Sequence, residues 1–479
     1  MRSSESKINL LYKFFFILIL LSGLISCVDV PEPEEKQKAT ALTINVNEFI
    51  EAVMNDIYLW YDKVPDIDIQ YEFDSKAYFE KLLYSEDKWS FITDDVEKLE
   101  DSFQGKETSY GWSLAFGRFT NTQTIFALVE FVYPNTPAEK AGVKRGDMIY
   151  EISGADITDN NYLDLLYSAN LSFTFGKYTD SGITSQKTAS MTALELNLDP
   201  VQFTTIIEHE GHKIGYLFYA QFIGNYNTSL DAAFHYFLDN QITDLVLDLR
   251  YNPGGTTTAA QHLCSSLAPV DVVNSEKTLV KFQWNDKWQK ELVESNEQDE
   301  LEIGFIKSVP IKMGLTKLYI ITGAGTASAS ELTITGLKPY MGVTTVGETT
   351  YGKYTASITI KPEQLRGLYN TASEYNEVKN WAVQPIILKY ANSLGVTDFK
   401  DGFVADIPVE DDLFSAIPLG DKKEAMLKKT IEDITGVEVI AMKSAKISKD
   451  FIIFDRGFSK FDANKRELII DSPEKDFLK

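Results

Sequence analysis

The chain has few of the residues on which many hydrolases and metalloenzymes depend. Among its 479 residues only four are histidine and two are cysteine. Two cysteines could form one disulfide at most, which excludes a disulfide-stapled framework. Basic residues are also scarce, at 46 against 70 acidic ones, and the formal net charge is −24. Because phosphate binding needs clustered lysine and arginine, this balance argues against a nucleic-acid partner.

Apolar residues, in contrast, are plentiful. They make up 44% of the chain, and aromatic residues make up 12%. This is enough for well-packed cores and excludes global disorder. A chain of this length exceeds the size at which a single core keeps growing, so we expect several domains.

The N-terminal residues resemble an export signal. Basic residues precede the apolar run 14–25, which is too short for a comfortable membrane-spanning helix but suits a signal peptide. The run ends in Leu24-Ile25-Ser26-Cys27, which resembles a bacterial lipobox. That resemblance implies lipidation of Cys27 and a bacterial cell-envelope location, lipid-anchored and facing the periplasm or the surface. The alternative is a short anchor with an incidental cysteine.

Composition and periodicity divide the remainder into segments. The other cysteine, Cys264, lies in a helical pattern and is expected to be a small buried residue. The fold class is predicted as multidomain, α+β and α/β. The predicted segments are a signal peptide (1–27), a charged tether (28–40), an N-terminal helical domain (41–104) with a helix from Asn47 as N-cap, a β-rich domain (105–195), an α/β core (196–436) and a C-terminal extension without a chemical motif (437–479).

The β-rich segment resembles a PDZ domain. The resemblance rests on a Pro-Ala pair at 137–138, Ala-Gly at 141–142, Gly-Asp at 146–147 and the apolar strand that follows. PDZ domains bind a peptide by adding it as a strand to a sheet edge. The corresponding peptide-binding loop is Gly111-Trp112-Ser113-Leu114, in which Ser113 replaces the usual second glycine.

A serine and a lysine supply the strongest chemical signal. Ser328 lies in Thr326-Ala327-Ser328-Ala329-Ser330-Glu331, after an apolar strand pattern and at the start of a helical pattern. Lys353 lies in a glycine-containing turn between strand-like stretches. A lysine in water is almost fully protonated at neutral pH, but burial disfavours the ammonium form and allows it to act as a base. Ser330 is the alternative nucleophile.

An acyl-transfer site also needs donors for the oxyanion. The backbone N–H of Ala329, at the predicted helix N-terminus, is one candidate. Gly254 or Gly255 is the second, because glycine lets the backbone approach the substrate closely.

Together these motifs resemble the C-terminal processing peptidases, family S41. The matching elements are Asp-Leu-Arg-x-Asn-Pro-Gly-Gly at 248–255, Ser-Ala-Ser-Glu at 328–331 and Gly-Glu-x-x-x-Gly-Lys at 347–353, in this order and after a PDZ-like segment. The resemblance implies a protease core of the crotonase-like or ClpP-like layered type. It also implies Ser328 as nucleophile, Lys353 as general base, and Ala329 with Gly254 and Gly255 as the oxyanion hole.

The residue that orients the lysine stays open. Some relatives have a glutamine four residues after the lysine, where this chain has Ser357. Others have an aspartate eleven residues after the serine, where this chain has Pro339. A third pattern has glutamate three residues after the serine, and Glu331 fits it. The alternative for Glu331 is an ordinary first-turn carboxylate that interacts with the helix dipole.

The histidines do not form a recognisable metal motif. His209 and His212 lack the spacing of a His-Glu-x-x-His helix, and the glycine between them favours a hairpin turn. We therefore expect no metal or cofactor.

The predicted function is a serine endopeptidase that cleaves exported or envelope proteins near C-termini presented by the PDZ domain. Its partners are protein or peptide substrates and a membrane, and its oligomeric state is not indicated. The alternative is a non-catalytic protein that binds peptides or hydrophobic ligands on the same scaffold.

Overall fold

The structure is a computed structural model. It describes residues 37–440 except 121, 123, 163, 167, 180, 181 and 416, together with 451–458 and 468–470. The predicted signal peptide, Cys27 and most of the predicted tether lie outside the described residues.

The N-terminal region is helical and shares its core with the peptidase region. Its first helix begins six residues before Asn47, because the side chain of Thr40 accepts from Thr43 N and caps it. Asn47 is therefore not the N-cap; it is buried inside the helix, and its amide donates to the carbonyl of Glu72. The elements are α1 (Ala41–Asp56), α2 (Ser75–Leu82), β1 (Phe91–Thr93) and α3 (Val96–Phe103).

The segment resembling a PDZ domain forms an antiparallel sheet with its own core and a separate two-stranded ribbon. Alternating buried side chains such as Phe116, Phe173 and Ile149 form that core. Its elements are β2 (Lys106–Ser109), β3 (Trp112–Phe119), β4 (Ile125–Val132), α4 (Pro137–Lys140), β5 (Met148–Ile152), β6 (Ala155–Asp156), β7 (Asn170–Thr179), β8 (Gly182–Thr192) and β9 (Leu194–Asn197).

The peptidase region is built on two further sheets. One has strand order β10-β11-β12-β16-β17-β21 and is parallel except for the β10–β11 hairpin. The other has order β13-β23-β18-β20-β14-β15. The strands after the PDZ-like segment are β10 (Val201–His209), β11 (His212–Tyr219), β12 (Asp244–Asp248), β13 (Gly255–Thr256), β14 (Thr278–Trp284), β15 (Glu302–Gly304), β16 (Lys317–Thr322), β17 (Gly342–Gly347), β18 (Thr355–Ser357), β19 (Ala382–Gln384), β20 (Ile386–Asn392), β21 (Ile407–Pro408), β22 (Phe451–Phe458) and β23 (Leu468–Ile469). Of these, β19 pairs with β1 and β22 with β3, outside the two peptidase sheets.

Helices cover these sheets and complete the cores. They are α5 (Asn227–Asp239), α6 (Thr257–Leu267), α7 (Val270–Asn274), α8 (Asp286–Glu294), α9 (Ala329–Leu337), α10 (Ala372–Val378) and α11 (Ala425–Thr435). One core unites α1 and α2 with α9, β12 and β20, so the N-terminal helices have no separate core. A second core joins the PDZ-like sheet to β11, β16 and α11. Cys264 is fully buried in α6, as predicted.

Two described stretches of the C-terminal extension are strands that pair with the other regions. β22 pairs antiparallel with β3 at the edge of the PDZ-like sheet. β23 lies between β13 and β18 in the second peptidase sheet.

Candidate active site

Ser328 stands at a sharp turn between β16 and α9. Its φ of 60° and ψ of −112° are unusual for a residue with a side chain, and such strain is characteristic of functional positions. The side chain is fully buried, and Ser328 Oγ has no hydrogen-bond partner among the described residues. Ser330, the alternative nucleophile, instead donates its hydroxyl to the carbonyl of Asn252 at 3.1 Å. The contrast favours Ser328 as the reactive hydroxyl.

Glu331 holds the serine turn and the lysine turn together. Its carboxylate accepts from the N–H groups of Ser328 at 2.9 Å, Gly352 at 2.7 Å and Lys353 at 2.8 Å, and from the Thr350 hydroxyl at 2.6 Å. Burial raises the pKa of Glu331 to about 7, and these four donors oppose that rise. Glu331 therefore does more than complement a helix dipole.

Tyr390 is a second connection, which the sequence did not indicate. Its hydroxyl, on β20, lies 3.0 Å from the carbonyl oxygen of Ser328 and 2.9 Å from that of Lys353, and its one proton is shared between them. Tyr390 is fully buried. A buried tyrosine in a strand otherwise indicates ordinary packing, so only its position identifies it.

Lys353 is fully buried, as its predicted role requires. The preceding Gly352 has a φ of +95°, and a Cβ there would lie 2.3 Å from the carbonyl oxygen of Lys400. The turn thus needs glycine both for its conformation and for its close packing. It directs the chain from β17 to β18 with Lys353 between the strands.

The glycine loop lies beside the serine turn. Ala327 N donates to the carbonyl of Asn252 at 3.2 Å, which joins the two segments. Gly254 N donates to Asn252 Oδ1 at 2.9 Å, so this N–H is engaged in the present conformation. Gly255 has a φ of +142°. Ala329 is the first residue of α9, where an N–H lacks an intrahelical acceptor.

A buried ionic network anchors the glycine loop and was not predicted. Arg250 is fully buried and donates to both oxygens of Glu424, at 2.7 and 2.9 Å. It also pairs with Asp248 at 2.8 Å. Asp411 binds Arg145 of the PDZ-like region at 2.7 Å. Burial would raise the pKa of Asp411, but the guanidinium groups of Arg145, Arg250 and Arg456 bring it below its usual value.

The two positions at which this chain departs from other lysine-orienting patterns are explained locally. Ser357 Oγ accepts from the amide of the fully buried Gln384 at 3.1 Å, so a glutamine reaches this position from β19 instead. Pro339 follows the C-terminal end of α9. Glu331, the candidate for the third residue, contacts both turns.

The predicted peptide-binding loop begins β3. Gly111 has a φ of +83°, and Trp112, Ser113 and Leu114 are buried. Ser113 donates its hydroxyl to the buried carboxylate of Glu130 at 2.7 Å. A carboxylate beside this loop disfavours capture of a peptide carboxylate here.

Two of the four histidines, His212 and His262, lie beside a carboxylate. His209 and His212 face each other across the β10–β11 hairpin, as expected for a turn, and His212 Nδ1 lies 2.7 Å from Asp244. Within the described residues, no group of His, Cys, Asp or Glu side chains could hold a metal ion. None of the helices described there is long and apolar enough to cross a membrane.

Comparison with protein-family models finds three matches. Residues 213–386 match peptidase family S41, residues 45–91 match the peptidase S41 N-terminal domain, and residues 128–174 match a PDZ domain. The order of the three is the order predicted from the motifs.

Curated and solved relatives agree. A carboxyl-terminal-processing protease of Synechocystis is 25% identical over 354 residues, covering 73% of each chain. A carboxy-terminal processing protease of Bacillus subtilis is 24% identical over 64% of this chain and 58% of that protein. A crystal structure from Bacteroides fragilis, assigned to the S41 proteases, superposes with a TM-score of 0.65 at 26% identity and covers 81% of this chain and 97% of that one.

The chain is therefore a serine-type peptidase in which residues 213–386 match family S41 and residues 128–174 match a PDZ domain. Its substrates are accordingly proteins or peptides.

Proposed function

We propose that Ser328 and Lys353 form the catalytic dyad, with Glu331 as the residue that positions both. The observation that carries the proposal is the Glu331 carboxylate, which binds the backbone of Ser328 and of Lys353 at the same time. Ser328 Oγ has no hydrogen-bond partner among the described residues, and Lys353 is buried.

In the proposed reaction Ser328 Oγ attacks the scissile carbonyl carbon and its proton passes to the Lys353 amine. The tetrahedral oxyanion is stabilised by Ala329 N–H and by the glycine pair; Gly254 would serve only after leaving Asn252. Collapse cleaves the C–N bond, and Lys353 gives the proton to the leaving amine. Water, deprotonated by Lys353, then hydrolyses the acyl-enzyme.

Purified Ser328→Ala and Lys353→Ala proteins are expected to lose turnover of an unfolded protein substrate, by about 10³-fold or more, because each removes a reacting group. Ser330→Ala is the matched control and should retain turnover. A serine-directed acylating probe should label Ser328 in the wild type. A protein that turned over substrate with either dyad residue replaced would contradict the assignment, and an unlabelled, inactive wild type would favour the non-catalytic alternative.

We further propose that substrates are exported or envelope proteins cleaved near their C-termini. The names of the two curated relatives and the PDZ domain support cleavage near C-termini, and the resemblance of the N-terminal residues to an export signal supports exported substrates. Two substrates that differ only in their last five residues should differ in kcat/KM while sharing cleavage sites. Equal values would argue against C-terminal selection.

We also propose that the protein is lipid-anchored through Cys27 on the outside of a bacterial membrane. The support is the lipobox resemblance of Leu24-Ile25-Ser26-Cys27. In cells grown with a labelled fatty acid, the wild-type protein should carry the label and be recovered in the membrane fraction. The Cys27→Ser protein should lose both the label and the membrane association. Cys264→Ser, which changes the only other cysteine, should retain both. A lipidated Cys27→Ser protein would contradict the anchor.

A further inference from the structure

The edge of the PDZ-like sheet is occupied by the chain itself. β3 follows the predicted peptide-binding loop directly and pairs with β4 on one side. On its other side it pairs with β22, antiparallel, with Phe451 opposite Phe119 and Phe458 opposite Leu114. PDZ domains receive peptides by strand addition at a sheet edge. β22 thus stands where an added peptide would pair.

The side chains of β22 attach it on two faces. Phe451 packs on Phe414, with 4.7 Å between ring centroids, and the half-buried Ile453 belongs to the same core. On the other face Phe454 lies edge-on to Tyr162 at 5.7 Å. Phe454 nevertheless stays 38% exposed and Ile452 51% exposed. The strand is therefore held along one edge and only partly covered.

One residue of β22 reaches the network beside the active site. Arg456 lies 3.3 Å from Asp411 Oδ2, and 3.8 Å from both Glu130 and Glu348. Glu348 belongs to the turn that leads to Lys353, and its carboxylate also accepts from Ala324 N of the loop before Ser328. Removing Arg456 would leave an excess of buried carboxylates, and this would destabilise the fold unless another cation replaced it.

The second described part of the C-terminal segment lies at the predicted catalytic loops. Leu468 pairs with Gly255, and Ile469 pairs with Thr256 on one side and Ser357 on the other. Ile470 N donates to the carbonyl of Ser357 at 2.9 Å. β23 therefore fills the space between the glycine loop and the strand after Lys353. This is a second place where an extended peptide would pair.

We propose that residues 451–458 and 468–470 act as an internal ligand of two strand-addition sites through which this protease receives peptides. A displacing substrate or partner is an extended segment with apolar residues at the positions of Ile453 and Phe451, and a basic residue at the position of Arg456. The negative charge of Glu130 favours an internal basic segment over a terminal carboxylate at this site. Only the effect on turnover rests on the function proposed above.

The test uses full-length variants that loosen β22. Ile453→Asp places a charge in the aromatic core, and Arg456→Ala removes the ionic contacts. The binding test uses a fluorescent peptide with the sequence of residues 449–460 and proteins that all carry Ser328→Ala. The peptide should bind each β22 variant at least about tenfold more tightly than it binds the protein with an unaltered β22, because the variants leave the edge of β3 open. The same peptide with Arg456→Glu should bind about tenfold weaker because its charge is reversed.

With Ser328 intact, Ile453→Asp and Arg456→Ala should raise kcat/KM for an unfolded protein about threefold or more, because less internal ligand competes. Ile440→Asp is the matched control: Ile440 is 91% exposed and lies outside β22, so binding and turnover should stay at wild-type values.

Two results would overturn the proposal. One is that a variant melts within a few degrees of the wild type and yet fails to bind the peptide, which would make β22 a permanent strand. The other is tight peptide binding by the unchanged protein, equal to that of the variants. Arg456→Ala keeps the test decisive if Ile453→Asp does not fold. If the wild type neither turns over substrate nor labels at Ser328, the proposed catalysis fails while the binding measurements still decide this inference.

Discussion

At the scale of single residues, the site depends on one buried carboxylate. Glu331 receives donors from both the serine turn and the lysine turn, and the sequence offered it as the third residue with an ordinary first-turn carboxylate as the alternative. Its neighbours in the chain do not reveal the contact with Gly352 and Lys353, which are more than twenty residues away. The structure adds Tyr390 to the site, and no local pattern distinguishes it from a packing residue.

Replacement of Glu331 should change the pH dependence of catalysis. Burial raises the pKa of Glu331 to about 7, and its ionised form accepts the four donors. Activity should therefore fall as the pH drops through about 7. Glu331→Gln cannot ionise, so its pH profile should lose this inflection. Its kcat/KM should fall about 10- to 100-fold, since a bond to a charged group contributes about 1.5–3 kcal/mol.

Glu331→Asp, which can ionise, is the control, and its activity should still fall as the pH is lowered. Rates measured from pH 5 to pH 9 decide the matter. A Gln variant with the wild-type inflection would show that another group titrates there.

At the scale of elements, the glycine loop between β12 and α6 is fixed from several sides. Arg250 binds Glu424, Asn252 binds the serine turn, and Gly255 packs directly on the backbone of Phe222. The motif was readable from the sequence because it combines a buried strand with a glycine turn. Its anchors are Glu424, which caps α11, and Arg145 in a turn of the PDZ-like region. These could not be predicted from the sequence, because they lie far from the loop along the chain.

A side chain at Gly255 should displace this loop. A Cβ there would lie 2.0 Å from the carbonyl oxygen of Phe222, and the φ of +142° is itself unfavourable for alanine. Gly255→Ala should lose activity by about 100-fold or more, as expected when oxyanion donors move. Gly142→Ala, with a φ of +69° and nothing within 4 Å, should cost only about 1–2 kcal/mol of stability and retain activity. Equal effects of the two on turnover would contradict the role of the loop.

At the scale of the whole molecule, regions that are consecutive in sequence share cores. The N-terminal helices pack into the peptidase core, and Leu59 N donates to the carbonyl of Ile386 on β20. The sequence predicted a helical domain for 41–104, and for 437–479 it predicted only an extension without a chemical motif.

Loss of packing in α1 should therefore unfold the peptidase region as well. Phe49 is fully buried in the shared core, so Phe49→Ala should lower the free energy of unfolding by about 3–5 kcal/mol. Leu42→Ala on the same helix, at a 42% exposed residue, is the control and should change it little. Urea unfolding followed by circular dichroism and by turnover should give coincident transitions. Activity that survives while the N-terminal helices melt would show two independent units.

The sequence by itself determined the order of the domains, the peptidase class and the positions of Ser328, Lys353 and the glycine loop. These follow from local patterns, because a strand, a tight turn and a helix start are specified by neighbouring residues. Tertiary structure alone decided how the serine and lysine turns are joined, through Glu331 and Tyr390. It also decided where the C-terminal strands pair, since strand addition uses backbone groups that every residue carries and so leaves little trace in sequence.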